Sequence, residues 1–304
     1  NQPPSFHRRA KSPSVEHVRV QATYDTVGLR TSRSPSIPKF IMPMTRSAYT
    51  AGQFCWVDLV AHDMTSAGEF YADLFDWTVE TQDTADGPPY AMFFQNGDVV
   101  AGIGEMSDEM RENGVPPTWN SYVSVDDVHE VTESAQELGA TIVTSPMQVM
   151  EAGWLAFIQD PTGATLGLWE AGAHHGATRV NEPGSFCWND LNTRDPETAK
   201  EFYSDLFGWT YEENRQSEGN YFVIHNDGRP NGGLLEMTEE WGDTPPHWSV
   251  YFAVKGLDNT ADEVGHLGGN IHDGPFETPV GPMAVTADPQ GAFFYLIELT
   301  GDAM

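Results

Sequence analysis

The feature that most constrains the fold is an internal repeat. The segment FCWVDLVAHDMTSAGEFYADLFDWT at residues 54–78 recurs as FCWNDLNTRDPETAKEFYSDLFGWT at residues 186–210, with fifteen of 25 positions identical and no gap. The offset between the copies is 132 residues here, 129 at the Pro-Pro pairs and 128 at the DPxGA segments. Small deletions of this kind are tolerated in loops. The chain is therefore predicted to fold as two copies of one unit, each long enough for a core.

The repeated segment is typical of a strand followed by a helix. In the first copy Asp63 can cap a helix that begins near Thr65, after which apolar residues recur at helical spacing. In the second copy Asp195 is followed by Pro196 at the first helical position, and Gly208 suits a left-handed helix end. Both copies therefore predict a strand that leads into one amphipathic helix.

The remainder of each copy predicts more strands and a second helix. The dipeptides Asn96-Gly97 and Asp227-Gly228 sit between apolar runs, as the turns of hairpins do. A strand, helix and strand follow each Pro-Pro pair, and a last strand surrounds DPTGATLGLWE or DPQGAFFYLIE. Each copy is therefore predicted to contain two βαβββ units.

These motifs resemble those of the vicinal-oxygen-chelate superfamily, which includes glyoxalase I, extradiol dioxygenases and bleomycin-resistance proteins. The patterns W.DL…D…….FY..LFGW and DP.GA…LW look most like the tandem glyoxalase-like proteins of actinobacteria. The resemblance implies an α+β fold in which four βαβββ units pair into two curled-sheet cups, with a small molecule bound in a cup. The predicted domains are an N-terminal extension (1–48), a first module (52–171), a linker (172–183) and a second module (184–300).

The extension differs from the modules in composition and charge. It is rich in Pro, Ser and Arg and holds eight Lys/Arg against two acids. We expect it to be disordered, or to be upstream sequence translated ahead of a natural start at Met44. The linker contains His174-His175, which we expect to be exposed and flexible.

The modules are strongly acidic. Residues 49–304 hold 7 of the 15 basic and 43 of the 45 acidic residues. Such a body repels nucleic acid and anionic membranes, and no window of 18 apolar residues predicts a membrane span. Cys55 and Cys187 occupy the same place in each copy and are interpreted as buried hydrophobes, which favours a reducing cytoplasm. The predicted partner is a small molecule, and the chain is expected to be a monomer by internal pairing or a homodimer.

This charge predicts a response to salt. Repulsion between carboxylates destabilises a compact state, and below about 0.1 M salt it acts over roughly 10 Å or more. We therefore expect the melting temperature to rise as NaCl is added into the molar range, as it does in a halophilic protein. A melting temperature that stays flat or falls with NaCl would contradict this expectation.

The resemblance also implies where metal ligands would lie. The positions that carry His, His and Glu in metal-dependent relatives are Trp56, Asn120 and Gly167 in the first copy, and Trp188, Ser249 and Tyr295 in the second. Glu105 and Glu236 are the candidates for the remaining ligand on the fourth strand. Trp, Asn, Ser, Gly and Tyr cannot supply three strong ligands to a divalent metal. We predict no cofactor, and a divalent metal is the alternative.

Strand parity brings polar and aromatic residues of each copy to one face. Residues i and i+2 of a strand share a face, so each copy directs an aspartate, a tryptophan and a tyrosine into its cup. An inward carboxyl group has its pKa raised by desolvation and can act as an acid or base, while a tyrosine can donate to an oxyanion. The predicted catalytic residues are Asp58, Asp190, Tyr122 and Tyr251, and the predicted substrate-binding residues are Trp56, Trp188, Asn120, Ser249, Trp169 and Tyr295. The alternative is that the aromatic residues form sheet core and the aspartates accept backbone amides.

Two functions fit this site. One is a glyoxalase-like enzyme that acts on a small polar or aromatic oxygenated molecule by lyase, isomerase or hydrolase chemistry without the usual metal. His225 and His247 are further candidate bases, and no G-x-S-x-G motif supports a serine hydrolase. The other is a non-catalytic protein that sequesters a small molecule or antibiotic between aromatic walls.

Overall fold

Each copy of the repeat forms one eight-stranded mixed sheet in the computed structural model, which describes residues 44–299 except 83, 85, 86 and 215–219. The first copy follows a short strand β1 (Met44–Thr45) and contains β2 (Phe54–Ala61), α1 (Met64–Phe75), β3 (Thr78–Gln82), β4 (Tyr90–Gln95), β5 (Asp98–Glu105), α2 (Asp108–Glu112), β6 (Thr118–Ser124), α3 (Val128–Glu137), β7 (Thr141–Val149), β8 (Gly153–Gln159) and β9 (Thr165–Ala171). Its strands lie in the order β3-β4-β5-β2-β6-β9-β8-β7.

The second copy repeats this arrangement. After β10 (Arg179–Val180) come β11 (Ser185–Thr193), α4 (Pro196–Phe207), β12 (Thr210–Glu213), β13 (Tyr221–Asn226), β14 (Arg229–Glu236), a 3-10 turn (Glu239–Trp241), β15 (His247–Ala253), α5 (Leu257–His266), β16 (Asn270–Phe276), β17 (Met283–Ala287) and β18 (Phe293–Ile297). The strand order is β12-β13-β14-β11-β15-β18-β17-β16. The predicted α+β fold of four βαβββ units in two tandem modules is therefore confirmed, and neither sheet closes into a barrel.

The local signals act as predicted. The Asp63 carboxylate accepts the amides of Thr65 and Ser66 at 3.0 Å, and Gly208 ends its helix at φ 71°. Asp195 caps α4, which has a proline in its first turn. Both central residues of each hairpin turn have positive φ, which gives the twist that two-residue hairpins require. The two cysteines are buried and free, and burial raises the pKa of both thiols.

The described segments outside the two large sheets contact each other and the first module. Most of the predicted extension, residues 1–43, lies outside the described residues. Met44–Thr45 forms β1, which pairs antiparallel with Arg179–Val180, so the end of the extension and the linker meet in a two-stranded sheet. The linker also bonds to the first module, since the Ala177 amide donates to the Cys55 carbonyl at 2.8 Å. Among the described residues, no helix has the length and apolarity that a membrane span requires.

The two modules share one core. Helices α1 and α5 are in contact, as are α3 and α4, so each half of one module packs against the opposite half of the other. Phe252 of the second module is fully buried, with its ring centroid 5.2 Å from that of Phe75 and 4.9 Å from that of Trp119. Because aromatic residues from both modules line one cluster, neither module completes its core alone.

A pair of hydrogen bonds crosses between the modules in a reciprocal way. The Tyr71 hydroxyl donates to Asp288 Oδ2 at 3.2 Å, and the Tyr203 hydroxyl donates to Asp160 Oδ2 at 2.9 Å. Each aspartate begins a DPxGA segment, and its other oxygen accepts amides of that turn. The repeated tyrosine and aspartate therefore tie each module to the other.

Removing either tyrosine hydroxyl tests this link. Tyr71→Phe and Tyr203→Phe keep the ring but leave a buried carboxylate oxygen without a donor, which costs about 1–3 kcal/mol. We expect each variant to lose that much free energy of unfolding in a denaturant titration. A loss below the error of the titration in both variants would show that the cross-module bonds contribute nothing to stability.

Candidate functional site

The first cup, defined as the face of the first sheet that carries Asp58, is built around that carboxyl group. Asp58 lies in β2, where the strand pairs with β5 and β6. Its Oδ1 accepts Asn120 Nδ2 at 2.9 Å, and its Oδ2 accepts the hydroxyls of Tyr122 at 2.9 Å and Tyr90 at 3.2 Å. Trp56 Nε1 in turn donates to the Tyr90 hydroxyl at 3.1 Å. The carboxyl group is thus held by side chains from two other strands, β4 and β6, and Asp58 is only 7% exposed.

The second cup, the corresponding face around Asp190, has the same plan with different donors. Trp188 Nε1 and the Tyr221 hydroxyl reach Oδ1 at 2.8 and 2.9 Å, and the Tyr251 hydroxyl reaches Oδ2 at 2.7 Å. Asp190 is 4% exposed. Both aspartates therefore accept side-chain donors, and not the backbone amides that the structural alternative assumed.

Burial raises the pKa of both carboxyl groups above the usual aspartate value. Desolvation is the largest cause, and the hydrogen bonds from Asn120 and Tyr122 to Asp58, or from Tyr251 and Tyr221 to Asp190, offset part of it. The pKa values of these tyrosine hydroxyls are also raised by burial, so they remain neutral donors. Each cup therefore presents a carboxyl group whose pKa lies above that of a surface aspartate.

Glycines on neighbouring strands make room for the tyrosines. A Cβ at Gly102 would lie 2.0 Å from the Tyr90 hydroxyl oxygen, and a Cβ at Gly233 would lie 2.1 Å from that of Tyr221. A Cβ at Gly167 would lie 2.3 Å from the Tyr122 ring. These contacts would be repulsive, so the tyrosines can reach the aspartates only because the facing residues lack side chains.

Three predicted site residues hydrogen-bond to other groups of the protein. Tyr122 and Tyr251 donate to the aspartates, and their hydroxyls are therefore not directed at a ligand oxyanion. Trp169 Nε1 donates to the His174 carbonyl at 2.9 Å and not to Asp58. The prediction that these residues contribute to function is untested by the geometry, which fixes only their contacts.

His174 was expected to be exposed, and that expectation is wrong. Its ring lies edge-on to Trp56 with centroids 4.5 Å apart, and 5.6 Å from the ring of Trp169. Burial lowers the pKa of the imidazole to about 4, so the ring is neutral at pH 7. The linker therefore returns to the first module and places a neutral ring against an aromatic wall of the first cup.

The second cup carries polar groups that the first lacks. Asn192 Nδ2 donates to Ser249 Oγ at 2.8 Å and lies 3.3 Å from His247 Nε2. His247 Nδ1 lies 2.9 Å from the Pro245 carbonyl, which only accepts, so Nδ1 carries the proton and Nε2 is an acceptor. Burial lowers the pKa of His247. The imidazole is therefore a neutral acceptor beside Asn192.

Tyr295 is specific to the second cup, because the first has Gly167 at the same place. Its ring stacks on that of Tyr251 with centroids 4.5 Å apart. Burial raises the pKa of its hydroxyl, and a hydrogen bond with Ser249 offsets part of the increase. The other candidate base is His225, whose Nε2 lies 3.8 Å from Glu212 Oε2. It is not among the side chains that donate to Asp190.

Sequence reasoning missed three residues of these sites. Tyr90 and Tyr221 begin β4 and β13 at matching places in the repeat, so comparing the two copies would have found them. Asn192 stands where the first copy has Val60, and no repeat signal marks it.

The residues present do not fit the metal centre that the superfamily implies. Glu105 Oε2 accepts the Met64 amide at 2.8 Å and its Oε1 accepts Arg111 Nη2 at 2.5 Å, so this carboxylate holds the start of α1. Glu236 accepts Asn220 Nδ2. Within the described ranges, no three His, Cys, Asp or Glu side chains are grouped closely enough to hold a metal ion.

Chelation tests the role of metal. The ligand positions carry Trp56, Asn120 and Gly167 in one cup and Trp188, Ser249 and Tyr295 in the other. We therefore expect purified protein treated with EDTA to keep its melting temperature and its activity. Stoichiometric Fe, Mn, Ni or Zn in the purified protein, with activity lost on its removal and regained on its return, would contradict this.

Comparison with known proteins places the chain in a family. The model of the Glyoxalase/Bleomycin resistance protein/Dioxygenase superfamily matches residues 53–168 and 179–296, so the chain belongs to this superfamily. The provisionally named glyoxylase CFP32 of Mycobacterium tuberculosis is 39% identical over 256 residues, which cover 83% of this chain and 97% of that protein. The anthracycline biosynthesis protein DauV of Streptomyces sp. strain C5 is 30% identical over 266 residues, 84% of this chain and 96% of that protein.

Solved structures share the fold at lower identity. The Mn(II)-bound glyoxalase from Novosphingobium aromaticivorans has a TM-score of 0.57 and 15% identity, with 82% of each chain covered. The 2,3-dioxygenase LapB from Pseudomonas sp. KL28 has a TM-score of 0.58 and 14% identity, with 83% of this chain and 93% of that chain covered. The predicted superfamily is confirmed, and these structures bear on the fold alone.

Proposed function

We propose that the chain is a glyoxalase-like enzyme that acts on a small oxygenated aromatic molecule in the second cup, with Asp190 as the acid or base and no divalent metal. The observation that carries the proposal is the buried Asp190 carboxyl group, held by three side-chain donors with its pKa raised. A catalytic acid or base works best when its pKa lies near the working pH. The same carboxyl group as a surface side chain would be a weak base and almost never protonated.

The hydrogen bonds leave Asp190 able to move a proton. A carboxylate offers about four acceptor positions, of which Trp188, Tyr221 and Tyr251 occupy three. The fourth, on Oδ2, can take a proton from a substrate and later return it. The three donors stay neutral and hold the carboxyl group in place during this exchange.

Tyr295 and the residues around it favour an oxygenated substrate in the second cup. The Tyr295 hydroxyl is hydrogen-bonded with Ser249, and it would stabilise charge that develops on a substrate oxygen if it donates to that oxygen instead. Asn192 adds a polar side chain where the first cup has Val60, and it donates to Ser249 Oγ. In the first cup, by contrast, the polar groups bond mainly to one another and the His174 ring covers Trp56.

Aromatic walls favour a flat ligand. Trp188, Tyr221, Tyr251 and Tyr295 surround Asp190, and rings of this kind hold planar molecules by stacking. A relative named for anthracycline biosynthesis supports the same class, because anthracyclines are fused ring systems with oxygen substituents.

The second candidate is a binding protein without turnover. It is favoured by the first cup, where Asp58, Tyr90 and Trp56 hydrogen-bond to one another and leave fewer polar groups for proton transfer. Such a cup would sequester a flat molecule and leave it unchanged.

One set of mixtures separates the two functions. We would titrate the protein with 1,8-dihydroxyanthraquinone and with unsubstituted anthraquinone, follow tryptophan fluorescence, and analyse the same mixtures by mass spectrometry. The enzyme predicts saturable quenching that is stronger for the dihydroxy compound, with a new product whose formation needs Asp190. Saturable quenching with unchanged ligand favours the binding protein, and no saturable quenching by either compound rejects this ligand class.

A further inference from the structure

A second cavity lies outside the Asp190 cup, between the described start of the chain and the linker. It has a volume of about 740 Å³ and is formed mainly by residues 45–47 and 173–178. The polar residues of its lining are Thr45, Arg46, Ser47, His174, His175 and Thr178. Among the described residues, no acidic side chain lines this cavity, although the chain holds 45 Asp and Glu residues against 15 Lys and Arg.

Arg46 is the cation on this wall, and it has no carboxylate partner among the described residues. Its Nη1 donates to Gln53 Oε1 at a long 3.4 Å, and its guanidinium group lies 5.1 Å from the Tyr49 ring centroid. Arg111 and Arg179 show the common alternative in this chain, since both form ion pairs with nearby carboxylates. Arg46 is half-buried and keeps donor capacity that no described acidic group uses.

The linker adds donors to the same wall. The main-chain amides of His175 and Gly176 donate to no described residue, whereas those of Ala177 and Thr178 donate to carbonyls of the first module. Successive free amides beside a guanidinium group are the donors that proteins use for carboxylates and phosphates. His174 supplies a neutral wall, because burial lowers its pKa to about 4.

We infer that this cavity, which we call the linker cleft (residues 45–47 and 173–178), binds a small anion through Arg46, His175 and the linker amides. The ligand is a carboxylate or a phosphate group, either free or carried by a small organic molecule. The surrounding body is acidic, so the site depends on short-range donors and not on the long-range field. The inference does not depend on Asp190 and can hold or fail independently of the proposed function.

The test uses the full chain and two probes, inorganic phosphate and acetate, at a constant high NaCl concentration. Isothermal titration is expected to show saturable binding of at least one probe, and the tighter of the two identifies the acid group. Because a hydrogen bond to a charged group contributes about 1.5–3 kcal/mol, Arg46→Gln should weaken binding by about tenfold or more. The matched control is Arg229→Gln, which removes the same charge from an exposed hairpin and should leave binding unchanged.

A second variant covers the case in which Arg46→Gln disturbs the fold. His175 is exposed, so His175→Gln should fold normally and weaken binding by about tenfold, because one donor to a charged ligand is changed. Melting temperatures of all variants would be measured alongside. The inference would be overturned if neither probe showed saturable binding. It would also be overturned if Arg46→Gln and Arg229→Gln weakened saturable binding equally.

Discussion

Asp190→Asn should slow turnover of an oxygenated aromatic substrate by about 10²–10⁴-fold, the usual cost of losing one catalytic proton transfer. Asparagine keeps the shape of the side chain but cannot accept and return a proton. The measurement is product formation by mass spectrometry at saturating ligand, with ligand affinity taken from fluorescence quenching. Affinity should change much less than turnover, because the aromatic walls and Tyr295 remain.

Asp58→Asn is the matched control for that change. It removes the same carboxyl group from the same place in the repeat, but in the cup where the His174 ring covers Trp56 and Gly167 replaces Tyr295. We expect a small effect on turnover and a loss of about 1–3 kcal/mol of stability, because an amide satisfies the three donors poorly. If both variants lost the same amount of stability while binding and turnover stayed intact, both aspartates would be structural hydrogen-bond acceptors and not site residues.

Phe252→Ala should cost about 3–5 kcal/mol of unfolding free energy, the range for truncating a buried aromatic side chain. Phe252 has no exposed surface and lies against Phe75, Trp77 and Trp119 of the first module. Because this ring belongs to a core that both modules share, the variant should still unfold in one transition at a lower temperature. Calorimetry measures both the shift and the number of transitions.

Phe293→Ala is the matched control for Phe252→Ala, because it makes the same substitution at an exposed position. This ring is 52% exposed in the same module, so its loss should change stability by about 0.5 kcal/mol or less. If Phe252→Ala instead gave two transitions, one of them at the unchanged temperature, the modules would be independent and the shared core would carry little energy.

Much of the fold could be predicted because its signals are local or repeated. Asp63 and Asp195 precede apolar residues at helical spacing, and the Asn-Gly and Asp-Gly turns separate paired strands. Strand parity was also sufficient to bring Asp58 together with Asn120 and Tyr122, since side chains two residues apart share a face. These features depend on neighbours within a few residues or on one strand pairing.

The rest depends on contacts that no local pattern encodes. Tyr90 and Tyr221 reach the aspartates over Gly102 and Gly233, which requires the register of three strands to be known. His174 lies against Trp56 because the linker returns to the first module, whereas its composition is typical of an exposed segment.

Positions at which the two copies differ indicate which residues are candidates for function. Gly167 and Tyr295 occupy the same repeat position, yet one leaves space beside Tyr122 and the other supplies a hydroxyl beside Tyr251. A structural role explains residues that both copies share, such as Trp56 and Trp188, as well as a functional role does. The hydroxyl of Tyr295, which has no counterpart at Gly167, is therefore more informative than the shared aromatic walls.

The protonation of Asp190 also predicts how stability depends on pH. Its folded-state pKa is raised, so the folded protein keeps a proton that the unfolded chain has already lost. This group therefore stabilises the fold most fully below the unfolded pKa, and its contribution is lost as pH rises through the folded pKa. Asp190→Asn should remove that component of the pH dependence.

Titration of the Asp190 carboxyl group by infrared difference spectroscopy tests the central claim most directly. The wild-type protein minus the Asp190→Asn variant isolates the stretching band of the protonated carboxyl group, which is then followed across pH. Our account predicts that the midpoint lies clearly above about 3.9, the value for an aspartate in water. A midpoint at or below that value would show that the tyrosine and tryptophan donors outweigh burial, and Asp190 would then be a permanently ionised structural group and not the acid or base of the second cup.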